Sequence, residues 1–424
     1  MQCEKKKLIL HPMNAKNVHL IYILLLLTGL FAGACRGDED MEPRLPGSSG
    51  DTLSRTLIIY MAAENSLHSY FQTDSLEIAW GLDSLDEDCR VVLFMDDRLS
   101  TRLCVGTRKE PLQTVKTYEG NLCSTDSQTM VNVLKDIFHL YPARNYGLVL
   151  CSHGSGWIFD DPVASSQSVS RRSFGIDNGR RSSSNQGRRM NIPTLAGVLS
   201  GFPHFDYLFF DVCFMQCVEV AYELRHAADY IIASPAEIPA TGAPFTKMLR
   251  AMCSTPADPT AIVDSYVDYY INDFGSYTYG GAEITAVRTD KLEQLAQATA
   301  PLMNRQLAGR TEIDATNVQH YWPILSSAQY AGAYDLKNLF YHTLDSATYA
   351  SWIRVFDEAV PVQRLTPTWF SAAQNGMILP VKDIPHCGGV SVYIPLEQHQ
   401  SKGWNDHYHL LEWYRATGMS STDW

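Results

Sequence analysis

The fold class follows from the stretch Phe205–Met215, which reads FDYLFFDVCFM. Phe205–Phe210 is a short apolar run rich in aromatic residues, and such a run is typical of a buried strand. A helix is predicted from Met215 to Ala227, and a second strand from Tyr230 to Ala233. A strand, a helix and a strand in succession predict a crossover connection between parallel strands of one sheet.

The same alternation of strands and helices continues on both sides of this stretch. The other predicted strands are Thr56–Met61, Arg90–Met95, Tyr146–Cys151, Ala282–Val287 and Gly388–Ile394. The other predicted helices are Leu67–Gly81, Ser127–Leu140, Ile192–Ser200 and Lys291–Asn304. We therefore predict an α/β fold with a mostly parallel sheet flanked by helices. Residues 55–275 are expected to form the core, and residues 276–424 a C-terminal subdomain packed on it.

The N-terminal residues have the composition of an export signal. Three lysines at residues 5–7 precede the apolar run Val18–Leu30, which is short for a membrane span. We expect residues 1–34 to be a signal peptide. The small residues before Cys35 resemble a bacterial lipobox, which implies that Cys35 carries a lipid; ordinary secretory cleavage is the alternative. Residues 35–54 are expected to be a flexible tether.

The charge of the chain limits its partners. The sequence has 424 residues, 45% of them hydrophobic, and a net charge of −12. Residues 1–34 carry four Lys and one Glu, so that without them the net charge changes from −12 to −15. An acidic surface disfavours nucleic acid and electrostatic binding to anionic lipid. We expect a cell-envelope protein, held at the outer membrane or cell surface only by its lipid, or a secreted one.

Two predicted strands end in residues that can carry out chemistry. His153 follows the strand Tyr146–Cys151, and Cys213 follows the strand Phe205–Phe210. Ligands of open α/β sheets bind beyond the carboxyl ends of the strands, so the two residues can meet over one crevice if the strands are neighbours. An imidazole near a thiol favours the reactive thiolate and can protonate a leaving amine. The pair is therefore a candidate nucleophile and general acid.

Other roles for these residues remain open at this stage. A histidine at a strand end is commonly structural, and a cysteine after an apolar strand is commonly buried. Cys213, Cys217 and His153 could also bind a metal ion, but because no fourth ligand is evident we predict no metal site. If the pair is catalytic, the N–H of Gly154 and the N–H of Cys213, at the start of the predicted helix, are candidate donors to an oxyanion.

Four segments carry further motifs: Tyr60–Leu67 (YMAAENSL), Ser152–Trp157 (SHGSGW), Asp211–Leu224 (DVCFMQCVEVAYEL) and Ser234–Phe245 (SPAEIPATGAPF). In this order they resemble motifs of the clostripain family of cysteine peptidases. The resemblance covers roughly residues 55 to 395 and implies a caspase-like fold and cysteine endopeptidase activity. It also implies that His153 is the catalytic histidine and Cys213 the nucleophile, with no obligatory third residue. This chain departs from the family's common Asp-Ala-Cys-Leu-Met at Val212 and Phe214, which can reshape the pocket.

The resemblance also bears on specificity. Asp211 matches an acidic residue associated with the pocket for the substrate's basic side chain, which implies cleavage after Arg or Lys. An extended chain places Asp211 on the same side as Cys213, and its carboxylate can bind a guanidinium through paired hydrogen bonds. Capping of the next helix is the alternative role. Glu237 is a second candidate acid for this pocket.

The segment Asp161–Arg189 is long, polar and contains three Arg pairs. Members of the family are commonly zymogens that are cut between the histidine and cysteine motifs after a basic residue. The resemblance therefore implies self-cleavage in an activation loop at residues 161–189, with Arg171 or Arg172 as the preferred site. A solvated, disordered insertion is the alternative. Phe174–Asn178 is expected to be more ordered.

The leading interpretation is a cysteine endopeptidase that cuts peptides and proteins after basic residues and needs no cofactor. A calcium requirement, found in parts of the family, is a further implication, although no calcium loop is visible. Two alternatives remain. One is a catalytically silent lipoprotein of the same fold that binds peptides or glycans. The other is a different α/β cysteine hydrolase, which the order of His before Cys disfavours.

Overall fold

The computed structural model describes residues 52–158, 173–179, 187–273, 281–306, 317–321, 333–371 and 377–419. The predicted signal peptide, the lipidation site Cys35 and the predicted cleavage sites Arg171 and Arg172 lie outside the described residues. Within the described part of the chain, every helix is too short or too polar to span a bilayer.

Nine of the strands form one central sheet. The strands in chain order are β1 (Leu53–Ala62), β2 (Cys89–Asp96), β3 (Thr101–Thr107), β4 (Gln113–Tyr118), β5 (Ala143–Cys151), β6 (Phe174–Asp177), β7 (Arg188–Met190), β8 (Phe205–Asp211), β9 (Ala228–Ala233), β10 (Glu283–Arg288), β11 (Tyr334–Asp335), β12 (Val362–Leu365), β13 (Thr368–Ser371), β14 (Met377–Pro380) and β15 (Ser391–Val392). The central sheet has the order β12-β10-β9-β8-β5-β1-β2-β3-β4. Its middle five strands, β9 to β2 in this order, are parallel, and the outer strands are antiparallel.

Helices cover both faces of this sheet. They are α1 (His68–Gly81), α2 (Ser127–Leu140), α3 (Ile192–Leu199), α4 (Val218–Glu223), α5 (Phe245–Met252), α6 (Pro259–Asp268), α7 (Leu292–Gln306), α8 (Leu336–Thr343), α9 (Ser346–Ala359), α10 (Trp404–Tyr408) and α11 (Glu412–Ala416). Apolar residues of α2, α3, α4, α7, α8 and α9 pack on one face, around Leu148 and Leu208. Residues of α1, α5 and α6 pack on the other, around Val149 and Phe209. This two-sided burial explains why the central strands are almost continuously apolar.

The structure confirms the predicted α/β fold class. Residues from both predicted parts of the chain contribute to the sheet, since β10 and β12 extend it beyond β9. The antiparallel strands β3 and β4 were not predicted; in the edge strand β4 the polar, exposed or half-buried residues of Gln113–Tyr118 lack an apolar strand pattern. Helices α5, α6, α8 and α9 were not predicted either.

The helix predicted over Met215–Ala227 is wrong in its first turn and too long. The observed helix α4 begins at Val218 and ends at Glu223. Before it, Phe214 adopts a left-handed conformation with φ of 63°. The N–H groups of Phe214 and Gln216 donate to the carbonyls of Ala236 and Ser234, at 2.9 Å each, instead of starting a helix.

The strand predicted over Gly388–Ile394 is also wrong in extent. Only Ser391–Val392 pairs, and it pairs with Tyr334–Asp335 outside the central sheet. The N–H groups of Gly388 and Gly389 donate instead to the buried carboxylate of Asp335, at 2.8 to 3.0 Å. A side-chain acceptor far away in the sequence thus replaces the expected strand ladder.

Replacing Phe209 by Ala should destabilise the protein strongly. Phe209 is fully buried in the central strand β8, and its ring centre lies 6.3 Å from that of Tyr266. The change leaves a cavity on the face covered by α1, α5 and α6, and should lower the free energy of unfolding by about 3–5 kcal/mol. Chemical denaturation measures this loss. Leu76→Ala, at a side chain that is 53% exposed on α1, is the control and should change it by no more than about 0.5 kcal/mol.

Candidate active site

The site begins with the register of two neighbouring strands. Strands β5 and β8 pair in parallel, and Cys151 lies opposite Asp211. His153 and Cys213 each follow by two residues, so they leave the sheet at the same edge and on the same face. Both residues line one cavity of about 180 Å³. The structure thus brings together the two residues that the sequence suggested as a pair.

Several parts of the chain complete the wall of this cavity. Leu67, just before α1, and Phe71, in α1, form one part of the wall. The other lining residues are Ser152, Asp211, Glu237, Ile238, Pro239, Ala240, Gly242 and, in β13, Phe370. Phe370 belongs to the C-terminal part of the chain, and no local pattern in the sequence connected it with the other residues. The predicted acids Asp211 and Glu237 both lie in this wall.

Ser66 contacts the candidate histidine directly. Its hydroxyl oxygen lies 2.8 Å from His153 Nε2. The turn that carries Ser66 is held by Asn65, whose side-chain amide donates to the carbonyls of Ala62 and Ile176, at 2.8 and 3.1 Å. Sequence reasoning missed the role of Ser66. It lies in the first family-like motif, but the motif did not indicate which of its side chains faces the histidine.

The loop that carries His153 is also held by residues 173–176, which lie inside the predicted activation loop 161–189. The N–H of Gly175 donates to the His153 carbonyl at 2.9 Å, and the N–H of Ser155 donates to the Ser173 carbonyl at 3.3 Å. The N–H of Ile176 donates to the hydroxyl of Ser152 at 3.2 Å. The segment Phe174–Asn178, which the sequence indicated as more ordered, forms strand β6 over Phe174–Asp177. This strand supports the histidine loop.

Cys213 differs from its neighbouring cysteines in exposure. Among the eight cysteines that the structure describes, none forms a disulfide and only Cys213 is not fully buried. Burial raises the pKa of the Cys151 and Cys217 thiols well above the ordinary value. The N–H of Ile238 points to Cys213 Sγ at 3.4 Å. Such a donor favours the thiolate, because it stabilises negative charge on sulfur.

The predicted oxyanion donors have different outcomes in the structure. Cys213 does not lie at a helix start, because α4 begins only at Val218, so the predicted contribution of a helix terminus is wrong. Gly154 packs tightly against the cysteine loop. A Cβ atom at Gly154 would lie 2.2 Å from Val212 Cγ1 and 3.3 Å from the Cys213 carbonyl oxygen. Only glycine allows the histidine loop and the cysteine loop this approach.

Asp211 is buried in the wall of the cavity. It is only 3% exposed, and its Oδ1 atom finds no hydrogen-bond partner among the described residues. Burial raises the pKa of its carboxyl to about 7, although an N–H group of Ala243 stabilises the charged form. Gly242, with φ of 58°, lies so close that a Cβ atom there would be 2.5 Å from Asp211 Oδ2. The carboxyl group is therefore held in place and poorly solvated.

One group of side chains in the described part of the chain could hold a metal ion. Carboxylate oxygens of Glu64, Asp96 and Asp177, all buried, lie within 4.8 Å of one another. Asp96 accepts a hydrogen bond of 2.5 Å from Thr101, and Asp177 accepts two from Ser124. These bonds join the end of β2 to the start of β3, and the end of β6 to the segment before α2. The group does not include Cys213, Cys217 or His153, which the sequence had suggested as alternative ligands.

Replacing Gly154 by Ala should disturb the site, and a second change should partly restore it. The new methyl group collides with Val212 and should lower the free energy of unfolding by about 1–3 kcal/mol. Adding Val212→Ala removes the colliding methyl group and should recover at least half of the loss. Chemical denaturation and the rate of Cys213 alkylation by iodoacetamide measure both effects. If the double variant loses as much free energy of unfolding as the two single variants together, the new methyl group does not collide with Val212 and the explanation is wrong.

Comparison with known proteins places this site in a family. Residues 59–424 match the model of the clostripain family of peptidases. The fold is similar to an inactive zymogen C11 protease from Parabacteroides distasonis, with 27% identity, a TM-score of 0.72, and coverage of 87% of this chain and 99% of that one. It is also similar to a secreted C11 cysteine protease from Bacteroides thetaiotaomicron in complex with an irreversible peptide inhibitor, with 30% identity, a TM-score of 0.73, and coverage of 87% and 100%.

A third similar structure is the secreted C11 cysteine protease iotapain from Bacteroides thetaiotaomicron, with a TM-score of 0.69 over 87% of this chain and 99% of that one. Its sequence identity is 20%, so this likeness supports the fold alone. No curated protein sequence matches the chain. The family match covers most of the chain and includes both candidate residues and the cavity between them. The chain therefore belongs to the clostripain family and is a cysteine peptidase with the caspase-like α/β fold.

Proposed function

We propose that this peptidase is an endopeptidase that cuts after basic residues, Arg before Lys, with Cys213 and His153 as a catalytic dyad. The observation that carries the proposal is the cavity of about 180 Å³ that both residues line together with the buried Asp211. A half-buried thiol, an imidazole and a desolvated carboxyl in one cavity are suited to attack a peptide bond and to hold a cationic side chain beside it.

In the proposed reaction, the Cys213 thiolate attacks the scissile carbonyl carbon and forms a tetrahedral intermediate. The N–H groups of Gly154 and Cys213 stabilise its oxyanion. His153 gives its proton to the leaving amine, the C–N bond breaks, and a thioester remains on Cys213. A water molecule then gives a proton to His153 and attacks the thioester, which releases the new carboxyl terminus and restores the dyad.

Two observed contacts support this assignment. The N–H of Ile238 lies 3.4 Å from Cys213 Sγ, where it stabilises the thiolate. The hydroxyl of Ser66 lies 2.8 Å from His153 Nε2, where it fixes the orientation of the ring. The chemistry needs no metal ion, because the thiol and the imidazole supply the nucleophile and the proton carrier. A calcium requirement stays a prediction of the resemblance.

The specificity for basic residues rests on Asp211. A guanidinium or ammonium group that enters the cavity finds a carboxyl group that is 3% exposed and has an unpaired oxygen among the described residues. The ion pair forms out of contact with water, where charge-assisted hydrogen bonds are strong. Leu67 and Phe71 provide an apolar wall for the aliphatic part of the side chain. Glu237, half-buried in the same wall, is a second candidate acid.

We also propose that the enzyme is made as a zymogen and processes itself after Arg171 or Arg172. A similar structure is described as an inactive zymogen. The described residues that follow these sites are held by bonds to the histidine loop, through the Ser173 carbonyl and the Gly175 N–H. A cut after Arg172 would therefore leave the support of His153 attached to the core.

The proposed location is the cell envelope, with Cys35 as a lipid anchor after removal of residues 1–34, or the extracellular medium if cleavage is ordinary. The sequence pattern supports this proposal, and a similar enzyme is described as secreted. Peptides and proteins with basic residues are the proposed substrates.

Cys213→Ala should abolish both peptide cleavage and self-processing. Without the thiol no thioester forms, so the purified variant should remain one chain and should show at least a ~10³-fold lower kcat/KM on peptides with Arg at the cleaved position. Mass spectrometry and a fluorogenic peptide assay measure the two effects. Cys104→Ala, at a buried cysteine of strand β3, is the matched control and should process and cleave like the wild type. Cleavage after Arg that persists in Cys213→Ala would contradict the proposed nucleophile.

The preference for basic residues should weaken as the pH falls below about 7. The pKa of Asp211 is raised to about 7, so its carboxyl takes up a proton below this pH and loses its attraction for a cation. The ratio of kcat/KM for two peptides that differ only in Arg or citrulline at the cleaved position should fall by up to about tenfold per pH unit. Both peptides are cleaved by the same dyad, so the titration of the dyad cancels in the ratio.

Asp211→Asn should give a low ratio that does not change between pH 5 and 7. A wild-type ratio that stays constant over this range would show that Asp211 does not bind the cationic side chain.

A further inference from the structure

Asp74 occupies an unusual position for an acidic residue. It lies in the middle of α1, on the buried face that also carries Phe71 and Ile78, and it is only 3% exposed. Its Oδ2 atom finds no hydrogen-bond partner among the described residues. A buried carboxyl oxygen without a partner is costly, so packing of α1 alone does not account for Asp74.

Glu77, one turn further along the same helix, provides a contrast. Burial raises the pKa of its carboxyl, although the N–H groups of Thr246 and Phe245 at the start of α5 stabilise the charged form. This is an ordinary role for an acid, because the first N–H groups of a helix lack partners within the helix. The contacts of Glu77 therefore explain its position, whereas those of Asp74 do not.

The location of Asp74 relates it to the cavity. Cys151 and Asp211 lie on the sheet face that α1 covers, and α1 runs antiparallel to the parallel strands β1 and β2 that it connects. Phe71 lines the cavity, and Asp74 lies one helical turn further beneath the sheet edge, on the same face of α1. The charge of Asp211 acts on Asp74, and both carboxyl groups act on the buried Cys151 thiol. The two acids therefore share one poorly solvated region.

We infer that Asp74, just behind the lining residue Phe71, is a second specificity residue, which together with Asp211 binds an entering guanidinium and so selects Arg over Lys. The inference rests on the proposed function and extends it. A guanidinium has five N–H donors on several edges, so one group can bond to two carboxyl groups at once. A lysine ammonium is a compact charge, and we assign it to Asp211 alone.

The proposed contribution of Asp74 to binding should depend on pH. Burial, the charge of Asp211 and the charge of Glu77 raise the pKa of Asp74 to about 9. Cys151 and Tyr269 are the other titratable groups on which its charge acts. At neutral pH the empty site therefore holds a neutral acid, and an entering guanidinium displaces the proton to the solvent. The contribution of Asp74 should accordingly grow between pH 7 and 9, above the range in which Asp211 titrates.

The test compares Asp74→Asn with Asp83→Asn, which removes an equal charge from an exposed residue just beyond α1. The substrates are three peptides that differ only in Arg, Lys or citrulline at the cleaved position. Asp74→Asn should lower kcat/KM for Arg by roughly tenfold or more, mainly through KM, with a smaller effect on Lys and none on citrulline. In the wild type the Arg-to-Lys ratio should rise from pH 7 to 9. In Asp74→Asn it should be constant, and Asp83→Asn should match the wild type.

Three outcomes would overturn the inference. An equal loss on all three peptides would show that Asp74 has only a structural role. A loss on Arg no greater than that of Asp83→Asn would show that Asp74 does not contribute to binding. A wild-type enzyme that does not prefer Arg to citrulline would contradict the proposed function itself, and this result is recognised before any variant is measured.

A measurement on the wild-type protein keeps the inference testable if Asp74→Asn does not fold. Agmatine, a small guanidinium compound, serves as the probe, and calorimetry at pH 8 in two buffers of different ionisation enthalpy gives the protons released on binding. Asp211 is already mostly ionised at this pH, so the inference expects release approaching one proton per site, from Asp74. Binding without proton release would overturn it.

Discussion

The parallel pairing of β5 with β8 is the constraint on which the site depends. Cys151 lies opposite Asp211, so the residues two positions further on, His153 and Cys213, leave the sheet together. A slip of one residue would turn the side chains of one strand to the other face and separate the pair. The register is fixed by burial on both faces, because Leu148 and Leu208 pack on one side of the sheet while Val149 and Phe209 pack on the other. The positions of the catalytic candidates thus follow from the hydrophobic core.

The loops convert this alignment into a reactive geometry. Gly154 brings the histidine loop against Val212, and Phe214 adopts a left-handed conformation that a large side chain rarely takes. The strained backbone at Phe214 is held by its hydrogen bond to the Ala236 carbonyl, in the same loop whose Ile238 N–H points to Cys213 Sγ. Strain of this kind persists only where the surrounding structure enforces it, and it commonly accompanies functional sites. Here it turns the chain away from helix geometry directly after Cys213, the proposed nucleophile.

The sequence predicted what local patterns determine. Apolar strands such as Tyr146–Cys151 and amphipathic helices such as Ser127–Leu140 have their own periodicity, and the family-like motifs marked His153 and Cys213. The predictions failed where a distant group decides. Asp335 captures the N–H groups of Gly388 and Gly389, and carbonyls near Ala236 delay the helix after Cys213. Phe370 carries no local signal, since only the tertiary fold brings a ring of β13 to the cavity.

The buried acids connect specificity with stability. Asp211 and Asp74 have pKa values of about 7 and 9 in the folded protein, above those of exposed carboxyl groups. Because the folded-state values are raised, the associated stability is complete at acidic pH and is lost as the pH rises through 7 and then 9. The empty enzyme therefore becomes less stable at the pH at which its proposed pocket becomes most negative. A cationic side chain reverses this effect, because it neutralises the carboxylates that the fold cannot solvate. In the proposed pocket a neutral side chain would leave ionised carboxyl groups unpaired, so the desolvation that weakens the empty protein would also disfavour a neutral substrate.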